Sequence, residues 1–218
     1  MRTGDDKMKN ALKKMVMGAV LLGALYAKPS PAQKNVVNLD AGYNALEALI
    51  TQNKDIRTRA WVDVGLSVYD VRLGYHGMHE ADNLDDNTYF GKHMVTLGKK
   101  GAGTSFVGIV KATKDGSIDE KVGLRNTSLV KSMSGYGRID ATANDDAASV
   151  LVFYGRPVGK GLTVELTHEA TQPYHDRMSH YTELQLNKDI TKWLSAVGRI
   201  EIYDFKDTKV MAGFAIHK

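Results

Sequence analysis

A period-two alternation of side chains most restricts what this chain can fold into. In residues 193–203, Leu194, Ala196, Gly198, Ile200 and Ile202 form an apolar or small set. Ser195, Arg199 and Glu201 form the other set, together with Trp193, Val197 and Tyr203. The parity recurs in LTVELTHEA (162–170), where Leu162, Val164 and Leu166 oppose Thr163, Glu165, Thr167 and Glu169. In YTELQLNK (181–188), Leu184 and Leu186 oppose Glu183, Gln185 and Asn187. In IDEKVGLRN (118–126), Ile118, Val122 and Leu124 oppose Asp119, Lys121, Gly123 and Arg125, with Glu120 interrupting the apolar set. Successive side chains of a strand point to opposite faces of its sheet. Each segment therefore predicts a strand with one apolar and one polar face.

From Arg57 onward such runs alternate with turn residues. Strands are expected near 58–76, 87–98, 104–113, 117–126, 135–143, 147–156, 161–170, 179–187, 191–205 and 208–217, the first of them one strand bent at Asp70 or two. TKDGS (113–117), NKDIT (187–191) and KDT (206–208) are hairpin connections. GRPVGKG (155–161) is a further tight link, because Pro157 cannot donate to a central ladder. No helix-length pattern or βαβ alternation follows residue 56. The expected fold class is an all-β antiparallel meander. A run of hairpins exposes two edges unless it closes, and about eight to twelve strands suit closure into a single barrel.

The N-terminal part has a different texture. Lys9, Lys13 and Lys14 precede an uncharged, mostly apolar run from Met15 to Ala27, followed by small residues at Ser30 and Ala32. That order predicts a secretory signal peptide over 1–32. The six basic and two acidic residues of 1–32 account for the whole net charge of +4, leaving 23 of each sign in 33–218. With no basic run interleaved with aromatics, nucleic acid is not an expected partner. Residues 33–56 are expected to be a helical segment: Asp40 can cap AGYNALEALITQN, and Leu39, Tyr43, Ala45, Leu46, Leu49 and Ile50 form a stripe. The barrel domain is then 57–218. Cysteine is absent, so neither disulfides nor thiolate metal sites arise.

Alternation alone does not say which face is inside. In a soluble barrel the charged face meets water, whereas in a membrane barrel it fills a polar lumen that Glu165, Glu183, Arg199 and Glu201 would line. Three features favour the second. Aromatics stand near strand ends (Trp193, Tyr203 and Phe205; Tyr89 and Phe90; Tyr181), as in interfacial girdles. The apolar sets include Ala196, Gly198, Ala212 and Ala215, too small to fill a soluble core well. Connections roughly alternate in length, which predicts long loops at 76–87 and 171–179 on one side and short turns on the other, with TSLVKSMSG (127–135) as an exception.

ELQLNKDITKWLSAVGRIEIYDFKDTKVMAGFAI (183–216) resembles the final hairpins of small Gram-negative outer-membrane β-barrel proteins. The shared features are a short inner turn, a Trp-bracketed strand, Gly-Arg in mid-strand and a closing strand of alternating apolar residues. Such barrels usually end on an aromatic; here the nearest candidate is Phe214. The resemblance implies an outer-membrane location with short turns in the periplasm, and outer-membrane lipid and the barrel-assembly machinery as partners. The role would be structural, adhesive or passage of small solutes.

No motif names a reaction or a cofactor. His76 and His79, with the acidic residues up to Asp86, and His175 and His180 in a second region are candidate metal ligands, although their spacing matches neither HExxH nor an EF-hand loop. Ser179, His180 and Glu183 are a poor catalytic trio, since neighbours on a strand point apart. Two alternatives stay open: a soluble periplasmic or secreted barrel that binds a small or apolar ligand, and an outer-membrane lipid-modifying enzyme.

Overall fold

The computed structural model describes residues 37–82, 88–99, 102–113, 116–128 and 135–217. The predicted signal peptide lies outside these residues. The elements are β1 (Val37–Thr51), β2 (Ile56–Val68), β3 (Val71–Asp82), β4 (Thr88–Lys99), β5 (Thr104–Thr113), β6 (Ile118–Asn126), β7 (Tyr136–Ala143), β8 (Ala147–Gly159), β9 (Leu162–Pro173), β10 (Ser179–Asp189), β11 (Leu194–Tyr203) and β12 (Asp207–His217). All pair antiparallel with their sequence neighbours, and β1 pairs with β12, so the twelve strands form one closed barrel. Closure gives every strand two partners and removes the exposed edges that a meander would leave.

The seam corrects the expected helix. Residues 40–51 lie in β1, where Ala45 stands opposite His217 and Thr51 opposite Met211 on one side, and Leu46 opposite Ala60 on the other. The segment LEALI fits both periods. Tertiary pairing decides between them, because without β1 both β2 and β12 would present unpaired edges. The stretch expected at 58–76 is two strands hinged at Tyr69 and Asp70. Pro157 lies inside β8, opposite Thr163, but beside a register irregularity between Pro157 and Gly159, the kind of bulged position to which proline is confined within sheets. The link after it shrinks to residues 160–161, with Lys160 and Gly161 both at positive φ (51° and 67°), the two-residue turn that matches strand twist.

The start of β1 and the end of β12 share one end of the barrel, here the lower end, with the connections at 69–70, 100–103, 127–135, 160–161 and 190–193. The upper end carries 52–55, 83–87, 114–117, 144–146, 174–178 and 204–206. The expected long loops are therefore short: the strands absorb most of 76–87 and 171–179, and the longest connection, 127–135, is at the lower end.

The sense of the sheet is unambiguous. Leu46 and Ile50 on β1, Val62 and Val64 on β2, Val122 and Leu124 on β6, Leu184 and Leu186 on β10, and Val210, Phe214 and Ile216 on β12 point outward and are exposed. On β4 and β5 the outward Val95, Leu97, Val110 and Ala112 are apolar too, but buried. The inward set holds the buried Glu47, Arg57, Arg59, Lys92, Lys121, Asp140, Gln185, Arg199 and Glu201. Two small apolar clusters interrupt the polar interior: Leu49, Val197, Met211 and Ala215, and Met94, Val107 and Ile109. Ala215 is thus inward, not on the outer face where its neighbours Ala196 and Ala212 lie.

Candidate functional site

The charged side chains of the interior form networks that join distant stretches of wall. The largest lies in the upper half of the barrel. Arg59 on β2 donates from Nε to Glu80 Oε2 on β3 at 2.6 Å, and its other nitrogens reach Glu183 on β10 at 3.0 Å and Glu201 on β11 at 3.3 Å. Arg57 Nη1 donates to Glu201 Oε2 at 2.5 Å. Arg199 Nε donates to Gln185 Oε1 at 2.8 Å, and its Nη2 donates to Glu47 on β1. The hydroxyls of Tyr181 and Tyr203 donate to Glu183 (2.6 Å) and Glu201 (2.8 Å). In the closed ring β2 and β10 are separated by β1, β12 and β11, so these are ties across the lumen rather than between neighbours.

A second network occupies the upper half opposite the first. Lys111 Nζ on β5 donates to Glu169 Oε1 on β9 at 2.7 Å, and Lys92 on β4 stands 3.7 Å from the same carboxylate. Lys121 on β6 donates to Ser149 Oγ at 2.7 Å and pairs with Asp119 at 3.3 Å. Below it, Arg125 holds Asp140 with two bonds of 2.7 Å, and Arg138 approaches the same carboxylate at 3.3 Å. At the lower end Glu165 accepts from Tyr136 Oη and, at 2.9 Å, from Asn187. Ser195 Oγ donates to Asp189 at 2.8 Å and lies 2.8 Å from His217 Nε2. The inward charges are segregated by wall. Among the described residues, strands β4–β7 present Lys92, Lys111, Lys121, Arg125 and Arg138 against Asp119 and Asp140, whereas β9–β11 and β1 present Glu165, Glu169, Glu183, Asp189, Glu201 and Glu47 against Arg199, with Lys209 on the intervening β12.

Of the residues singled out as lumen-lining, Glu165, Glu183, Arg199 and Glu201 all point inward, into these networks. The four histidines do not come together. His76 faces the lumen, with Nδ1 2.5 Å from Asp63 Oδ1. His79, at odd separation on the same strand, faces outward, edge-on to His93 with ring centroids 4.9 Å apart. His175 is exposed in the turn after β9, and His180 faces outward, stacked on His168 and against Phe205. Among the described residues no three His, Asp or Glu side chains form a metal-holding group. Ser179, His180 and Glu183 do not converge either: His180 points out and Glu183 in.

The aromatic pattern is also redistributed. Trp193 and Phe205 are exposed in the connections that flank β11, but Tyr181 and Tyr203 turn inward. The side chains of Tyr89 and Phe90 lie outside the described residues. Sequence reasoning missed Glu47, Arg57, Arg59 and the lysines of the second network. Strand parity was the available signal. Glu47 was hidden by the helical reading of β1, and nothing in one strand tells which residue it meets across a lumen. Compared with protein-family models and with curated proteins, the chain matches none.

Proposed function

We propose that this protein is an integral outer-membrane β-barrel with a laterally cross-tied lumen, in a structural or restricted small-solute role. The observation that carries the reading is the inversion of the sheet: exposed aliphatic side chains outside, buried ion pairs inside. In water so many exposed outward aliphatic side chains on neighbouring strands are disfavoured, since monomeric soluble proteins rarely expose contiguous apolar patches beyond a few hundred Å². Against lipid tails the same surface is favourable, and closure satisfies the backbone groups that lipid cannot. Outward charges fit as well: Lys99, Glu120, Arg156 and Lys188 lie toward strand ends, where a barrel meets headgroups. Ten of the twelve strands have ten or more residues, enough for a tilted crossing. The cross-lumen ties argue against a wide aqueous pore. On this reading residues 1–32 are a leader, and outer-membrane lipid and the assembly machinery are the partners.

The test is fractionation of the leader-bearing chain, with carbonate-washed membranes run boiled and unboiled on a gel. Retention in the outer membrane with a mobility shift on boiling is expected. Release without detergent would overturn the reading and favour a soluble barrel.

A further inference from the structure

We propose that Lys92, Lys111 and Lys121 form a binding site for a small oxyanion in the upper part of the lumen, and that Glu169 is its built-in competitor. The three lysines stand on the inward face of three consecutive strands. Lys92 and Lys111 are directly opposite each other in the β4–β5 register, an arrangement that costs stability for like charges. Lys121 is diagonal to Lys111, because Ile109 is its direct partner and Asp119 is opposite Lys111. Lys92 and Lys121 are 8% and 5% exposed, so water compensates these charges little.

Among the described residues three lysines share two ion-paired carboxylates, Glu169 and Asp119. The side chain of Asp119 is 40% exposed, so its field at the buried lysines is weakened by solvent. Glu169 serves two lysines at once and comes from β9, across the lumen. An ammonium group has three donors and no acceptor. Three of them facing two carboxylates, Glu169 shared by Lys92 and Lys111 and Asp119 held by Lys121, leave donors for the further oxygens of a phosphate or carboxylate group, in charge-assisted bonds. Ser149 Oγ, 2.7 Å from Lys121 Nζ and 2.9 Å from Thr171 Oγ1, adds hydroxyls at the margin of the same cluster. A solute oxyanion enters by displacing the Glu169 carboxylate, which swings on a side chain from the far wall without disturbing β4–β6. No covalent step is involved.

The site needs only the closed barrel, so its test is separate from that of membrane location. Inorganic phosphate is titrated calorimetrically into the full chain, folded in detergent at low salt, with the unboiled gel band as the check on folding. Glu169→Gln is expected to bind phosphate about tenfold more tightly than the wild type, the equivalent of about 1.4 kcal/mol. Glu169→Asp, which keeps the charge but withdraws it, is expected to fall between the two. Adding Lys92→Gln and Lys111→Gln to either variant is expected to abolish the gain. Glu165→Gln, on the same face of β9 but bonded to Tyr136 and Asn187, is expected to change nothing. The proposal is overturned if both folded Glu169 variants bind phosphate as the wild type does, or if the gain survives loss of the two lysines.

Discussion

Arg199 shows what a single side chain does in this interior. It is fully buried, with Glu47 and Glu201, themselves 1% and 0% exposed, on either side. Charges taken out of water are tolerated only with partners, and removing one partner of a buried pair typically costs about 3–5 kcal/mol. Arg199→Met is therefore expected to lower the unfolding free energy of the barrel, obtained from the urea midpoint and slope, by an amount in that range. The double variant with Glu47→Gln should recover part of the loss, because one stranded carboxylate is neutralised. An unchanged midpoint for the single variant would mean that the network does not hold the wall together. Arg199 and Glu201 were legible as a pair on one face from their parity in β11. Their partners from β1 and β2 were not, because they are brought there by closure.

Among the elements, the β1–β12 seam is the sharpest test of the fold. A Cβ on Gly213 would lie 2.0 Å from the Ala48 carbonyl oxygen and 2.9 Å from Leu49 Cα, both backbone atoms that cannot give way. A Cβ on Gly198, facing outward on β11, meets nothing within 4 Å. Gly213→Ala is expected to deplete the fast-migrating unboiled band, since the strands that close the ring are forced apart. Gly198→Ala should leave stability within about 0.5 kcal/mol of the parent. Equal effects at the two positions would contradict the seam. The turn before β12 carries its own constraint: Asp204 and Phe205 both have positive φ, 50° and 57°. That is a hairpin geometry Asp tolerates and Phe adopts reluctantly. Packing of the Phe205 ring against His180, at 4.7 Å between centroids, holds it there.

For the molecule as a whole, the distinction that matters is what surrounds it. Ile200 points outward between Leu184 on β10 and Val210 on β12. If the surrounding medium is lipid, Ile200→Arg should cost about 2–4 kcal/mol for a barrel folded into vesicles, as an arginine on the lipid face near mid-membrane does. If the medium is water, the substitution should cost almost nothing and should raise solubility. Comparing unfolding in vesicles for this variant and the parent separates the two. The result also bears on the interior. With lipid outside, the segregation of basic residues on β4–β7 from acidic ones on β9–β11 and β1 becomes a field across an enclosed lumen.

The sequence by itself determined the all-β meander, most strand positions from β4 to β12 and the division of each strand into two chemically distinct faces. These are local properties: parity is a consequence of strand geometry, and short clusters of Asp, Asn and Gly make turns wherever they stand. The tertiary structure alone decided that 37–51 is a strand, that the apolar set faces out, and that Lys111 meets Glu169 and Arg59 meets Glu183. Each of these depends on closure. A ring gives β12 a partner from the other end of the chain, and it turns one face of every strand toward a shared interior, where charges far apart in sequence must find one another or remain buried and unpaired.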